Sequence, residues 1–242
     1  MTQPVLLAID TATNCSSVAI TRGDSLCGEV IASLSLSSGI THSRRLLTSI
    51  EWLMAEVGMD WQGLTGIAVS LGPGSFTGLR IGMATAKGLA TAAGLPLYGV
   101  SSLDVLASRC VTDKLICVAL DARKKEVYTA LYRRVGGEIQ RLGDYQVLAP
   151  ESLVAMIDEP VLFVGDGVRV YSDRLSLSAL AGAEIAPAIL HTISATALGF
   201  CAADCAIRGE MLDTAAAVPL YVRASDAELN LGIKVTPRPI PC

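Results

Sequence analysis

Residues 66–80 read GIAVSLGPGSFTGLR, and this stretch decides the fold. The apolar run over 65–71 predicts a buried strand, which leads directly into the glycine-rich loop Gly72-Pro73-Gly74-Ser75. The residues after the loop predict a helix over 77–93 that ends at Gly94. A strand, a glycine-rich loop and a helix in this order indicate an α/β protein with helices packed on a sheet.

The flanking segments extend the pattern in both directions. Upstream, apolar runs at 5–10, 15–21 and 27–36 are separated by short polar turns, which predicts an antiparallel meander. A single apolar stripe then predicts a helix over 41–58, and residues 95–100 predict a strand downstream. The order β-β-β-α-β-α-β-α is that of the actin-like, sugar kinase and Hsp70 (ASKHA) fold.

The second half of the chain starts in the same way but continues as a shorter repeat. We therefore expect two β-β-β-α-β-α type lobes, the second truncated, with an N-terminal lobe over 1–110 and a smaller C-terminal lobe over 111–242. The segments that predict this second lobe are strands at 115–121, 126–134, 138–148 and 161–164, and a helix at 194–208.

Composition limits the class of function. Half of the residues are hydrophobic and 17% are charged, so the chain can bury a large core. The net charge is −4 and the longest basic runs, at 123–125 and 133–134, are short, which disfavours autonomous RNA binding. A role on RNA through a partner stays open. No signal peptide or membrane span is evident, so we expect a cytoplasmic protein.

Two segments have the chemistry of a phosphate site. Asp10 and Thr11 end the first strand, and in the actin-like superfamily the corresponding hairpin approaches nucleotide phosphates and positions a metal ion or water. Gly72, Gly74 and Ser75 precede a helix, whose first N–H groups can hold an anion. No GK[ST] follows, so this is not a Walker motif. Alternatively, Asp10 satisfies turn amides and the glycine loop only turns the chain.

The helix over 77–93 has an unusual row of small residues. Gly78, Gly82, Ala86 and Ala90 are four positions apart, so they lie on one side of the helix. Glycine inside a helix costs about 1 kcal/mol relative to alanine, so another segment is expected to approach closely here. That segment is either the sheet of this chain or a helix of another subunit, and the sequence leaves both alternatives open.

Charged and histidine positions elsewhere carry weaker predictions. Residues 121–126, DARKKE, predict a charged hairpin turn, either as a solvated tip or with Asp121 and Arg123 paired across a cleft. His42 and His191 complete no metal-ligand cluster and have no identifiable nucleophile nearby in sequence. We expect neither histidine to be catalytic.

Motifs along nearly the whole chain resemble the TsaB family, also called YeaZ. They are LAIDTAT at 7–13, THSRRLL at 41–47, GPGSFTGLR at 72–80, LDARKKEVY at 120–128 and PLYVR at 219–223. The GPGSFTGLR run is highly specific. The resemblance implies the ASKHA fold and a role in the synthesis of threonylcarbamoyladenosine (t6A) in bacterial tRNA.

The resemblance also implies partners. TsaB-like proteins pair with the catalytic subunit TsaD through helices of the N-terminal lobe, can form a homodimer through the same surface, and are joined by the ATPase TsaE. We therefore expect a non-catalytic scaffold and activator that needs no cofactor, avoids membranes and reaches tRNA only through the complex. The implied partner-interface residues are Ser43, Leu46, Leu47, Ile50, Gly78, Leu79, Gly82, Met83, Ala86 and Lys87.

Two positions argue against catalysis by this chain. TsaD-like proteins carry a metal-binding His-x-x-x-His just after the strand that corresponds to 97–100, and Ser102 and Leu106 stand at those positions. Neither residue is a useful ligand for a transition metal, so we expect a pseudo-enzyme subunit. The alternative is a nucleotide-binding ATPase or phosphotransferase of the same fold, using Asp10 and the glycine loop.

Overall fold

The computed structural model describes residues 3–37, 42–175 and 180–223. The first part of this chain alternates strands and helices in the predicted order. Its elements are β1 (Val5–Asp10), β2 (Ser16–Arg22), β3 (Glu29–Leu36), α1 (His42–Glu56), β4 (Gly66–Gly72), α2 (Phe76–Ala93), β5 (Leu97–Ser101) and α3 (Ser102–Ser108). A short 3-10 helix at Trp61–Gly63 precedes β4.

The second part has more strand and shorter helices. Its elements are β6 (Leu115–Asp121), β7 (Val127–Val135), β8 (Glu138–Leu148), α4 (Pro150–Val154), β9 (Val161–Val164), α5 (Asp166–Val170), α6 (Ser172–Leu175), β10 (Glu184–Ile185), a 3-10 helix at Ala188–His191, and α7 (Ala195–Arg208).

Both sheets have the same strand order. The first runs β3-β2-β1-β4-β5, with β1 antiparallel to β2 and parallel to β4. The second runs β10-β9-β6-β7-β8, with β6 antiparallel to β7 and parallel to β9. The predicted duplication of the ASKHA unit is therefore confirmed. The second unit keeps all five strands, and its shortening lies in β10 and in helices α4, α5 and α6.

Element boundaries follow local chemistry. Every residue of β4 is buried, as expected for a parallel strand that is covered on both faces. β3 begins at Glu29 rather than at the predicted residue 27, because Asp24 Oδ1 accepts hydrogen bonds from the N–H groups of Leu26 and Cys27 and holds them in a turn.

Opposite faces of the first sheet carry different helices. α7 packs on β1 and β2, and the Ala195 N–H donates to Ser17 Oγ at 3.1 Å. Asp10 is paired with Ser17 across the two strands, so its side chain points to the α7 side. Thr11, the next residue, points to the other side, where it lies against α2 at Gly82.

The packing differs from the predicted division at residue 110. Residues 193–220 belong to the first compact unit, and the second unit contains 106–192 together with the described residues 221–223. After α7, the chain follows the first sheet, since Leu212 N–H donates to Leu97 O and Leu220 N–H donates to Leu71 O, both at 2.8 Å. The buried side of α7 covers the sheet face that α2 leaves open, which sequence spacing alone does not show.

A helix that crosses a bilayer needs about 20 predominantly apolar residues. Within residues 3–37, 42–175 and 180–223, no helix combines the length and the apolar character that crossing a bilayer requires.

Candidate functional site

The two predicted phosphate segments meet at the carboxyl ends of β1 and β4. Ser75 N–H donates to Ala12 O at 2.7 Å, and Thr11 Oγ1 donates to Gly78 O at the same distance. Ser75 Oγ accepts a hydrogen bond from Gly78 N–H at 3.3 Å, so Ser75 caps the N-terminus of α2. We call this contact between residues 10–13 and 72–78 the hairpin–loop junction. The N–H groups of Ser75 and Gly78, in the segment that the sequence predicted as an anion site, are therefore bonded within the chain.

Glycines are required in the hairpin–loop junction because the two backbones touch. A Cβ atom at Gly74 would lie 2.3 Å from Ala12 O, and one at Gly78 would lie 2.0 Å from Thr11 O. Gly72 has φ of +101°, a value that side chains disfavour. At Gly74 and Gly78 the hairpin and the loop lie in direct backbone contact, which leaves no room for a side chain.

Asp10 is the first residue of the hairpin side of the junction and is fully buried. Its Oδ1 accepts hydrogen bonds from Ser70 Oγ and from Ala12 N–H, while Oδ2 has no hydrogen-bond partner. Burial raises the pKa of Asp10 from 3.8 to about 6, although both hydrogen bonds act in the opposite direction. The carboxyl group is enclosed by the chain, and its predicted metal- or water-positioning role stays a prediction.

The row of small residues on α2 faces the sheet of this chain. A Cβ atom at Gly82 would lie 2.3 Å from Thr11 Oγ1, and Ala86 is completely buried. This corrects the predicted partner interface, because a residue covered by its own chain offers no surface to a partner. The predicted interface residues that are buried in this way are Leu46, Ile50, Gly78, Leu79, Gly82, Met83 and Ala86.

The other three predicted interface residues differ from one another. Leu47 is 51% exposed on α1 and fits a contact surface. Lys87 has a role inside the chain, since its Nζ donates to Ala215 O and Ala217 O, both at 3.0 Å, and ties down the segment after α7. The side chain of Ser43 lies outside the described residues.

Sequence reasoning missed a second small-residue row on α2. Ala84, Gly88 and Ala92 are also four positions apart, and all three are exposed. A Cβ atom at Gly88 would meet no atom within 4 Å. On the neighbouring helix α1, Leu47 and Trp52 are each 51% exposed. We call the exposed sides of the two helices, on which these five residues lie, the outer face of α1 and α2. The second four-residue repeat in the sequence of α2 could have revealed this row.

The positions that correspond to the metal ligands of TsaD-like proteins lie in α3. Ser102 and Leu106 are both completely buried, and Ser102 Oγ has no hydrogen-bond partner. Across the described ranges 3–37, 42–175 and 180–223, no three His, Cys, Asp or Glu side chains come together in a way that could hold a metal ion.

The charged hairpin turn of the second unit is organised around Asp121. Its Oδ1 accepts hydrogen bonds from Arg123 N–H and from Tyr171 O–H, both at 2.8 Å, and its Oδ2 pairs with Arg123 Nη1 at 3.0 Å. Asp121 N–H in turn donates to Asp166 Oδ1 at 2.9 Å. The Asp121–Arg123 pair therefore forms inside the turn itself, and burial raises the pKa of Asp166.

The same turn has an uncommon backbone. Arg123, Lys124 and Lys125 have φ values of +61°, +52° and +63°, the left-handed region that side chains disfavour. A left-handed helical turn costs about 1–2 kcal/mol per residue. The hydrogen bond from Arg123 N–H to Asp121, which Tyr171 also bonds, offsets part of this cost. Because Tyr171 is distant in sequence, this turn conformation depends on the folded chain.

His191 has a structural role in the second unit. It is buried, and Gly165 N–H donates to its Nδ1 at 3.1 Å while Nε2 lies 2.9 Å from Ala186 O. Nδ1 also lies 3.0 Å from Gly165 O, and a tautomer with its proton on Nε2 would accept from Gly165 N–H and donate to Ala186 O. Gly165 has φ of +111° and approaches Ala119 O closely. His191 thus fixes the loop that positions Asp166, and an isolated histidine in the sequence gives no sign of this.

Replacing His191 with alanine is expected to lower the free energy of unfolding by about 2 kcal/mol, because Gly165 N–H loses its buried acceptor. Urea unfolding of the full chain measures the change. Ile189→Ala, an exposed side chain on the same 3-10 turn, is the matched control and should change stability by about 0.5 kcal/mol or less. Equal stabilities for the two variants would contradict the assigned role.

Comparisons with known proteins cover most of the chain. A sequence profile of the family described as "TsaD: tRNA N6-adenosine threonylcarbamoyltransferase" matches residues 35–231. The "tRNA threonylcarbamoyladenosine biosynthesis protein TsaB" of Bacillus subtilis (strain 168) is 32% identical over 227 residues, which cover 92% of this chain and 96% of the relative. The protein of the same name from Haemophilus influenzae is 32% identical over 194 residues, which cover 75% of this chain and 79% of the relative.

A solved structure agrees with these relatives. "YeaZ from Pseudomonas aeruginosa" superposes with a TM-score of 0.75 and 31% sequence identity, over 90% of this chain and 99% of that chain. The duplicated sheet and the hairpin–loop junction define a protein of the ASKHA class. Within this class, the chain belongs to the TsaB (YeaZ) family.

Proposed function

We propose that this protein takes part in t6A biosynthesis as a non-catalytic scaffold and activator, which pairs with the catalytic subunit TsaD and recruits the ATPase TsaE in the cytoplasm. The observation that carries the proposal is the closed hairpin–loop junction in a chain that is similar over 92% of its length to a TsaB protein. Asp10, the one carboxylate in this junction, is buried, which supports a role other than nucleotide chemistry. Chemistry on tRNA then falls to the partner, and this chain contributes binding surface.

The outer face of α1 and α2 is the surface that we propose for TsaD. Leu47 and Trp52 expose about half of their side chains, and large apolar side chains of this kind dominate binding energy at protein interfaces. Ala84, Gly88 and Ala92 allow a partner helix to approach the backbone of α2 closely. The same face would serve a homodimer, so a second copy of the chain competes with TsaD for it.

Replacing Leu47 with glutamate is expected to weaken the complex with TsaD at least about tenfold, because a charge would be buried against the partner. The fold should be unaffected, since half of the Leu47 side chain faces solvent. Isothermal titration with purified TsaD measures the affinity, and circular dichroism measures the melting temperature.

Ile207→Glu is the matched control, because Ile207 is equally apolar and exposed but lies on α7. It should bind TsaD as the parent does. Met83, by contrast, is buried in the chain and would report on folding rather than on binding. If Leu47→Glu binds TsaD with the affinity of the parent, the outer face of α1 and α2 is not part of the interface.

A reconstituted tRNA modification assay tests the role itself. With TsaD, TsaE, the threonylcarbamoyl-AMP donor and tRNA present, omission of this chain should sharply reduce t6A formation, and this chain without TsaD should form none. Micromolar binding of ATP and magnesium by the isolated chain would instead support the nucleotide-binding alternative.

A further inference from the structure

The segment after α7 runs beside α2 and is bonded to the first sheet at both ends. At its beginning, Leu212 N–H donates to Leu97 O in β5, and at its end Leu220 N–H donates to Leu71 O in β4, both at 2.8 Å. We call residues 212–220 the strap. The strap, α1 and α2 all belong to the first compact unit, so their arrangement is defined within that unit.

Lys87 fixes the middle of the strap to α2. Its Nζ donates to Ala215 O and Ala217 O, both at 3.0 Å, and hydrogen bonds from a charged donor are stronger than neutral ones. Inside the strap, Asp213 Oδ1 accepts from Ala215 N–H at 2.9 Å, and Asp213 O accepts from Ala217 N–H at 2.8 Å. The strap is therefore pre-organised, so a partner can bind it with little loss of conformational entropy.

The strap and α1 lie on opposite flanks of α2. In the strand order β3-β2-β1-β4-β5, α1 packs on β2 and β3, whereas α2 packs on β1, β4 and β5. α1 therefore lies toward the β3 edge of the sheet. The strap is bonded to β4 and β5 and lies toward the β5 edge. The exposed small-residue row of α2, with Gly88 at its centre, lies between these two flanks.

Larger apolar side chains are exposed on both flanks of this row. On one flank, α1 exposes about half of Leu47 and of Trp52. On the other flank, the strap exposes 50% of Val218, which directly follows the residue that Lys87 bonds. Short side chains between longer ones form a groove, and a groove of this kind receives a helix.

We propose that the strap is part of the TsaD interface: a helix of TsaD lies along the exposed row of α2 and contacts α1 on one side and the strap on the other. This inference rests on the proposed function, which supplies the partner. The strap continues the outer face of α1 and α2 without a break, because Lys87 joins α2 to the strap directly. Lys87 is then a positioning residue, which acts on TsaD binding through Val218.

The first test is the affinity of the full chain for purified TsaD, measured by isothermal titration. Val218→Asp is expected to weaken binding about tenfold, because a carboxylate would be buried against the partner helix. Its melting temperature should match that of the parent, since half of the Val218 side chain faces solvent. Ile207→Asp, an exposed apolar position on α7, is the matched control and should bind TsaD as the parent does.

Lys87→Met tests the positioning role, because methionine keeps an apolar stem and removes the donor. We expect faster amide hydrogen exchange in the strap and an affinity for TsaD that falls about fivefold. Lys87→Arg can still donate to both carbonyl groups and should retain both properties. Faster exchange with unchanged affinity would show that Lys87 only stabilises the chain, and would contradict the assigned role.

Hydrogen exchange of the unaltered chain gives an answer that does not depend on how any variant folds. The amides of residues 213–218 should exchange more slowly in the presence of saturating TsaD. Unchanged exchange there in a chain that binds TsaD would overturn this inference alone. Slowing that depends on the concentration of the chain, without TsaD, would assign the strap to the homodimer and also overturn it. Failure of the wild-type chain to bind TsaD would overturn the proposed function itself.

Discussion

Gly78→Ala is expected to lower the free energy of unfolding by about 3 kcal/mol or more, because the new methyl group would overlap backbone rather than a side chain. The added Cβ would lie 2.0 Å from Thr11 O. Neither segment can retreat easily, since Thr11 Oγ1 bonds Gly78 O and Ser75 N–H bonds Ala12 O. Relief of the overlap would break the hairpin–loop junction. Urea unfolding of the isolated chain measures the effect.

Gly88→Ala in the same helix is the matched control. A Cβ atom there meets nothing within 4 Å, so the only change is the higher helix propensity of alanine. We expect a gain of about 0.5–1 kcal/mol. Parent-like stability of Gly78→Ala would show that the inward row of α2 does not touch the sheet, and would restore this row as a docking surface.

Asp10→Asn is expected to remove about 3 kcal/mol of pH dependence from the free energy of unfolding, the value that corresponds to a pKa raised from 3.8 to about 6. Between these pH values the folded chain holds a proton that the unfolded chain has released. Stability therefore falls as pH rises through this window, and the loss is complete above the folded pKa. The physical cause is the burial of a carboxylate whose Oδ2 has no partner.

The difference between the variant and the parent isolates this group. Other carboxylates titrate equally in both proteins, so the stability of Asp10→Asn relative to the parent should rise by about 3 kcal/mol from pH 2 to pH 8. Asn Oδ1 can still accept from Ser70 Oγ and Ala12 N–H, which keeps the local bonds. Urea unfolding at several pH values gives the comparison. A difference that does not vary with pH would mean that Asp10 is ionised without penalty.

The sequence left two interpretations of the segments at Asp10 and Gly72, a phosphate site or turns that only redirect the chain. Asp10, Thr11 and the glycine loop, which the sequence singled out separately, come together because β1 and β4 are parallel neighbours whose carboxyl ends meet at one edge of the sheet. How closely they come together could not be predicted. The contact between Gly78 and Thr11 sets how closely the hairpin and the loop approach, and these two residues are 67 positions apart in the chain.

The backbone conformation of the turn at residues 123–125 could not be predicted from the sequence, for a different reason. Sequence rules assign positive φ to glycine and asparagine, and three basic residues in a row give no such signal. The conformation depends on Tyr171, which follows α5, and on Arg174 in α6. Long-range hydrogen bonds of this kind are invisible to any local pattern.

The sequence by itself determined the order of strands and helices in the first lobe, the duplication of the sheet and the family, because apolar periodicity and the GPGSFTGLR motif are local signals. Only the tertiary structure decided which side of α2 faces the sheet. Small residues occur on two sides of this helix, at Gly78 and Gly82 and again at Ala84 and Gly88, so periodicity favours neither. The choice depends on Thr11, whose carbonyl and hydroxyl groups occupy the space beside the first row and leave the second row open to solvent.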